Sequence, residues 1–322
     1  MYFDVTIITT YRVGTDSLCK YISKHHDIYC PGFYGMGFRA NIYSKKTFAE
    51  IIACKRKVFM WHDGYTDILY NGKIPILPKY LIHPIRHPYE QAIACYNASL
   101  QHAILNNIEN NILNVEDYLV QHGKYIFGNS LHHVNHHSNF DSVKVIDFSG
   151  LSSGNINRTM NDIYRWLGVD TCANFENDSA FHKSEVDFYL EKIPLRVEAI
   201  NLSWNFYFIR ENVETPNNLY PIGIIECSDF GTLKVCLMKD ELHTNRFGYS
   251  NIMADDVAQI IRDHFANWLH LLQEKIMAFS HYKISSLPTN VINLINKESF
   301  FDYQKILKIN PEIEQLWRDK WM

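Results

Sequence analysis

An apolar strand that leads into a glycine turn and then into a helix limits the folds open to this chain. The β-branched run in Phe3–Ile8 predicts a buried strand, and the spacing of Leu18, Tyr21 and Ile22 predicts a helix that starts just after Gly14. The first N–H groups of a helix have no partner inside it, and the helix dipole favours an anion beside them. The segment alone therefore leaves two interpretations open, a phosphate-binding loop and an ordinary strand–helix junction without a ligand. The P-loop consensus GxxxxGK[ST] is absent.

A second strand–helix junction has the same arrangement further along the chain. Lys79–Ile85 predicts a short buried strand, and Pro88 fits the first turn of the helix that follows. Arg86 is therefore expected at the carboxyl edge of that strand, where open α/β sheets bind their ligands. An arginine at such a place is more often a surface ion-pair partner, so this segment alone leaves both interpretations open.

Together the two segments resemble the sulfotransferase family, whose sulfuryl donor is 3′-phosphoadenosine 5′-phosphosulfate. Tyr11–Leu18 matches the family's P-[KR]-S-G-[ST]-T-x-L segment, which holds the donor's 5′-phosphosulfate. Arg86–Glu90 matches the opening of R-[DN]-P-x-[DE]-x-x-x-S, which holds the 3′-phosphate. His62, at the end of the predicted strand in Lys57–Gly64, has the place of the catalytic base in the family's cytosolic branch. Lys144–Val169 is similar to the family's strand, turn and helix ending in F-L-G.

The resemblance, which covers about residues 1–170, implies a role for each matched residue. Arg12 would stabilise the bridging oxygen as the S–O bond breaks, and His62 would accept the proton of the acceptor hydroxyl. The donor would be held by seven residues: Arg12, Val13, Gly14, Thr15, Asp16, Ser17 and Arg86. We expect a hydroxyl-bearing acceptor, with a surface saccharide as the first candidate, and no metal cofactor.

Three departures from the family's motifs leave other functions open. Ala94 stands where the family has the serine that binds the 3′-phosphate, and Asp16 replaces a hydroxyl in the phosphate loop. The glycine-rich R-K-G loop of cytosolic members has no counterpart. These changes support a degenerate sulfotransferase-like binding subunit as one alternative. A kinase-like transferase that uses ATP is the other, disfavoured because no lysine follows the loop glycine.

The alternation of strands and helices, with the resemblance, predicts an α/β fold. We expect a central parallel sheet flanked by helices, in the P-loop NTPase-like arrangement of sulfotransferases, with a β-hairpin insertion in the C-terminal half. Three parts follow: a donor-binding core over 1–193, a β-rich insertion or lid over 194–252, and a helical part over 253–322 that packs on the core. The predicted strands of the insertion are Asn201–Arg210, Ile222–Cys227 and Thr232–Met238.

The composition indicates a globular chain without a strong charge. A net charge of −4 gives no reason to expect a nucleic acid or an anionic membrane as partner. Seven cysteines without metal-type pairs predict reduced thiols and a cytoplasmic protein. No apolar run approaches the 18 residues or so of a membrane span, so we expect none. A homo-oligomer is left open.

A histidine cluster is the other feature that could carry chemistry. His132–His137 reads HHVNHH, which puts two pairs at the i, i+4 spacing that can bind zinc on a helix. A contact with the acceptor is a second interpretation. The favoured one is a solvated helix, because no acidic or cysteine ligand is close in sequence.

Overall fold

The computed structural model describes residues 4–8, 12, 14–29, 57–62, 79–106, 112–135, 137–175, 185–199, 202–227, 231–240, 255–278 and 282–320. The chain divides into two compact units. The first consists of Met1–Ser99, Leu113–Asn177 and Tyr282–Met322, and the second of Leu100–Ile112 and Asp178–His281.

The first unit is built on a parallel β-sheet, as predicted. Within the described residues its strands are β1 Val5–Ile8, β2 Ile28–Tyr29, β3 Lys57–His62, β4 Tyr80–Ile85 and β5 Ser142–Asp147, in the order β2-β3-β1-β4-β5. Central strands of such a sheet are covered on both faces, and accordingly the β4 residues from Leu81 to Ile85 are all buried. The expected α/β architecture with helices around a parallel sheet is confirmed.

Helices connect these strands and add a C-terminal segment to the first unit. They are α1 Thr15–Ser23, α2 Pro88–Asn106, whose last residues belong to the second unit, α3 Val115–Asn135, α4 Ile156–Leu167, α7 Thr289–Lys308 and α8 Pro311–Trp317. On α4 a single face is buried, formed by Ile156, Met160, Ile163, Tyr164 and Leu167. None of the described helices combines the length and apolar character that crossing a bilayer requires.

The strand order defines where the sheet opens. The chain leaves β1 toward β2 on one side, whereas it leaves β4 toward β5 on the other. The carboxyl ends of β1 and β4 therefore lie beside a topological switch point, the place where open α/β sheets bind ligands. The loops that carry Arg12 and Arg86 both start here.

The second unit is an antiparallel sheet with its own core. Its strands are β6 Leu195–Ala199, β7 Leu202–Arg210, β8 Leu219–Cys227 and β9 Gly231–Met238, in the order β6-β7-β9-β8, and its helices are α5 Glu185–Leu190 and α6 Asp255–Ala278. Phe208, fully buried on β7, packs edge-on against Phe265 of α6 with ring centres 4.5 Å apart.

The sequence predicted three strands in this region, and the structure adds a fourth, β6. β6 pairs along its length with β7 in antiparallel register, from Leu195 opposite Phe206 to Ala199 opposite Leu202. The two residues between β6 and β7, 200 and 201, lie outside the described part of the chain. Residues 253–322, grouped as one helical part in the sequence, are divided between the units, since α6 belongs to the second and α7 and α8 to the first.

Candidate functional site

Gly14, at the start of α1, is packed closely against two side chains. This residue has a left-handed backbone with φ of 86° and is the N-cap of α1. A Cβ added to it would lie 2.6 Å from Leu151 Cδ1 and 2.8 Å from Phe148 Cδ2. Glycine is therefore required here both by the backbone conformation and by the close approach of two side chains. Because a glycine cap offers no side-chain oxygen, it leaves the first-turn N–H groups of α1 to other acceptors.

Arg12 has an unusual backbone that a second arginine supports. Arg12 has a φ of 60°, and among the described residues it is the one non-glycine residue with a positive φ. Such a backbone conformation costs about 1–3 kcal/mol. The Arg86 Nη1 donates a hydrogen bond of 3.2 Å to the Arg12 carbonyl oxygen. The two loops at the switch point are thus joined directly, and the exposed side chain of Arg12 lies on the same edge of the sheet.

The Arg86 guanidinium lies in a mostly dry environment. It stacks over the Phe148 ring, with its central carbon 4.0 Å from the ring centre, and its Nε lies 3.8 Å from Glu90 Oε2. This Nε is buried and makes no hydrogen bond to the described residues. Burial lowers the pKa of Arg86, and the negative charge of Glu90 partly opposes the shift. An anion that binds beside such a poorly solvated cation forms a strong, charge-assisted interaction with it.

Cys95, on α2, is close enough to both arginines to respond to their charge. Burial raises the pKa of its thiol to about 12, while Arg12 and Arg86 act in the opposite direction. The thiol is therefore neutral at physiological pH and is not a nucleophile.

The C-terminal segment reaches this edge of the sheet, which the sequence did not predict in detail. The Trp317 Nε1 donates to Asp147 Oδ2 over 2.7 Å, and the Lys320 Nζ donates to Glu90 Oε1 over 2.7 Å. Asp147 ends β5, and its Oδ1 also accepts a bond from the Ser149 amide in the 3₁₀ turn Phe148–Leu151. Glu90 thus lies between Lys320 and the Arg86 guanidinium, so the tail contributes to the charge around Arg86.

His87 directly precedes α2, in the place where the matched motif has Asp or Asn. Its carbonyl accepts the first helical bond from Gln91, and its Nδ1 lies 3.4 Å from the Tyr89 amide that donates to it. An Asp or Asn at an N-cap accepts a hydrogen bond from the backbone amide at this same position, so His87 caps α2 in their place. Burial, with a smaller effect of Lys320, lowers the pKa of His87 to about 3 and keeps this ring neutral.

Of the remaining predicted site residues, Thr15 and Ser17 are described in full and His62 by its backbone alone. Thr15 and Ser17 are in the first turn of α1, where Thr15 is buried and Ser17 exposed. Val13 and the side chain of Asp16 lie outside the described part of the chain. His62 ends β3 as predicted, and its backbone is paired with that of Ile8 at the end of β1.

Ala94 and part of the histidine cluster also lie in the described part of the chain. Ala94 lies within α2 and is half-buried, next to Cys95. The backbones of His132 and His133 are in α3, whose last residue is Asn135, while His136 lies outside the described part of the chain. His137 begins a separate 3₁₀ turn, and its Nε2 lies 3.0 Å from Nδ1 of the buried His83 on β4.

The arrangement is suited to binding an anion. It combines a helix N-terminus, two arginines and a half-buried aromatic ring, Phe148, at one switch point. Arg86 has Phe148, Cys95 and Glu90 around it. No motif singled out Phe148 or Cys95, because their positions depend on how β5 and α2 pack. No family model, no curated protein and no solved structure matches this chain.

Proposed function

We propose that this protein is a sulfotransferase that moves a sulfuryl group from 3′-phosphoadenosine 5′-phosphosulfate to a hydroxyl-bearing acceptor. The observation that carries the proposal is the hydrogen bond of 3.2 Å from Arg86 Nη1 to the Arg12 carbonyl. It joins the two loops that separately match the donor-binding segments of the family. The parallel sheet with β1 between β3 and β4 is compatible with the sulfotransferase fold.

Donor binding rests on complementary charge. The 5′-phosphosulfate would lie at the N-terminus of α1, against the N–H groups that follow Gly14, where the helix dipole favours an anion. The 3′-phosphate would lie against Arg86, whose burial makes its charge poorly solvated and hence strongly attracted to a phosphate. Phe148 would keep the guanidinium plane in one orientation, because the two are stacked at 4.0 Å.

The reaction would be an in-line displacement at sulfur. The acceptor oxygen forms a bond to sulfur while the bond from sulfur to the bridging phosphate oxygen breaks, which releases adenosine 3′,5′-bisphosphate. Arg12 would stabilise the negative charge that develops on the leaving oxygen. His62 would take the proton of the acceptor hydroxyl, and the pairing of its backbone with Ile8 supports this role.

Calorimetric titration with adenosine 3′,5′-bisphosphate tests the donor site. We expect micromolar binding, and we expect Arg86→Ala to weaken it by about 2–5 kcal/mol, which is at least about 30-fold, because the phosphate then faces no guanidinium. Arg165→Ala is the matched control: this arginine is exposed and forms a surface pair with Asp162 on α4. The control should bind as the wild type does.

The other outcomes distinguish the alternative functions. Preference for magnesium ATP over the bisphosphate would contradict the proposal and favour a kinase-like transferase. Tight bisphosphate binding without sulfuryl transfer to any hydroxyl compound, saccharides included, would favour a binding subunit. In an active enzyme, His62→Gln should lower kcat by about 10²–10⁴ while donor binding is unchanged.

A further inference from the structure

A group of metal-ligating side chains lies at the end of α1 opposite the phosphate loop. His25, His26 and Asp27 form the turn between α1 and β2, and Asp170 and Cys172 follow the end of α4. One ligand atom each from His25, His26 and Cys172 can be chosen so that all three lie within 4.8 Å of one another. The same holds for His26, Asp27 and Asp170.

These separations are close to those of a zinc site. With Zn–N bonds of about 2.0 Å and Zn–S bonds of about 2.3 Å, two ligand atoms on one tetrahedral zinc lie roughly 3.3–3.7 Å apart. The ligand atoms of His25, His26 and Cys172, which lie within 4.8 Å of one another, need to close by up to about 1.5 Å. His26 and Cys172 are exposed and can make that movement by side-chain rotation.

His25 has the hydrogen bonding of a histidine prepared for a metal. Its Nε2 lies 2.8 Å from the Asp170 carbonyl oxygen, which can only accept, so Nε2 carries the proton. Its Nδ1 is then the bare nitrogen, and it accepts a bond of 3.0 Å from the Asp27 amide. Ligating histidines are commonly oriented in this way, with the second nitrogen donating to a backbone carbonyl. Coordination through Nδ1 replaces the bond from the Asp27 amide.

The surrounding structure holds His25 in place. His25 has a relative exposure of 2%, and its ring packs edge-on against Tyr164 with ring centres 4.4 Å apart. Backbone hydrogen bonds from the His25 amide to the Ile22 carbonyl and from the Ile28 amide to the His25 carbonyl fix the turn. The exposed His26 ring is stacked on His25 at 4.7 Å with an angle of 14° between the rings, and it rotates out of this stack to turn a nitrogen toward the same ion. Binding therefore orders His26 and Cys172 around a fixed His25.

We propose that His25, His26 and Cys172 bind a zinc ion, with a carboxylate of Asp27 or Asp170 or a water as the fourth ligand. Two imidazoles and a thiolate are a ligand set that favours zinc over magnesium or calcium, which prefer oxygen. On binding, the Cys172 thiol releases its proton to solvent and the Zn–S bond forms. The ion would join the α1–β2 turn to the segment after α4, far along α1 from the phosphate loop. This site is independent of the proposed activity.

Titration of the untagged, metal-free and reduced protein with Co²⁺ tests the proposal. Cobalt takes the place of zinc and reports a bound thiolate by a charge-transfer band in the near ultraviolet. We expect one equivalent to produce this band and Zn²⁺ to abolish it. Cys172→Ser and Cys172→Ala should lose the band, and His26→Ala should weaken binding by at least about tenfold, as removal of even an outer partner costs about 10- to 100-fold.

Two matched controls exclude general effects of removing cysteine or histidine. Cys227→Ser replaces another cysteine that is not buried, and His270→Ala replaces a histidine with the same side-chain exposure of 67% as His26. Both should keep the band and the wild-type affinity. Far-ultraviolet circular dichroism shows that each variant is folded. Absence of the band in the wild type, or its persistence in both Cys172 variants, would overturn the proposal.

Discussion

Gly14 is the residue on which the geometry of the candidate site depends most. Gly14→Ala would force an L-residue into a φ of 86° and push a Cβ to within 2.6–2.8 Å of Leu151 and Phe148. We expect a loss of about 2–5 kcal/mol in the free energy of unfolding, from about 1–2 kcal/mol of backbone strain and about 1–3 kcal/mol of overpacking. Because Phe148 supports Arg86, bisphosphate binding should be lost as well.

Gly168→Ala separates the two causes. Gly168 also has a left-handed backbone, with φ of 68°, but nothing lies within 4 Å of an added Cβ. This variant should therefore show only the backbone cost of about 1–2 kcal/mol and normal ligand binding. Urea unfolding measures both free energies. Equal losses in the two variants would contradict the packing explanation at Gly14.

The residues of this edge divide into those that local sequence reveals and those that it does not. Gly14 and Arg86 were predicted because a strand followed by a helix start has a recognisable local pattern. The left-handed backbone of Arg12 was not predicted, since it depends on the bond from Arg86, which is 74 residues away in sequence. The stacking of Phe148 was missed for the same reason, because it requires the register of β5 beside β4.

At the scale of elements, the buried His87 beside the start of α2 predicts that the free energy of unfolding depends on pH. His87 has a pKa of about 3 in the folded protein against about 6.5 in an unfolded chain, because it is buried. Between these values the unfolded chain binds more protons, so stability is fully present above about pH 6.5 and falls as the pH decreases toward 3. The slope is up to about 1.4 kcal/mol per pH unit.

His87→Asn isolates this contribution. Asparagine caps a helix well but does not titrate, so the variant should stay within about 1 kcal/mol of the wild type at pH 7 and lose less stability at pH 4.5. A smaller slope remains, because burial also lowers the pKa of His137, to about 4. Urea midpoints at the two pH values measure the difference, with His270→Asn as an exposed control. An unchanged slope in His87→Asn would contradict the assignment.

Elements with a clear period were predicted well and their ends less so. The helix that follows Arg86 begins at Pro88, where a proline in the first turn is tolerated. The sequence did not indicate that His137 starts a separate 3₁₀ turn two residues after the end of α3 at Asn135. The His83–His137 contact depends on tertiary packing that no local pattern contains.

At the scale of the whole molecule, the chain forms two units with separate cores. The candidate donor residues Arg12, Gly14 and Arg86 all belong to the first unit, on the parallel sheet. The second unit has its own buried cluster around β7, β9 and α6. The sequence indicated a change of structure near residue 194, but the return of the chain to the first unit at Tyr282 was not predictable from composition, since α6 and α7 are both amphipathic.

This division predicts separable unfolding transitions in calorimetry. Phe208→Ala removes a fully buried ring from the second unit and should lower the stability of that unit by about 3–5 kcal/mol. Met160→Ala, equally buried on α4, should lower the stability of the first unit by about 2–5 kcal/mol. The bisphosphate at 100 times its Kd should raise the first unit's transition, by a stabilisation of about 2.7 kcal/mol, in wild type and in Phe208→Ala alike. A single transition that both substitutions shift equally would show that the two cores unfold as one.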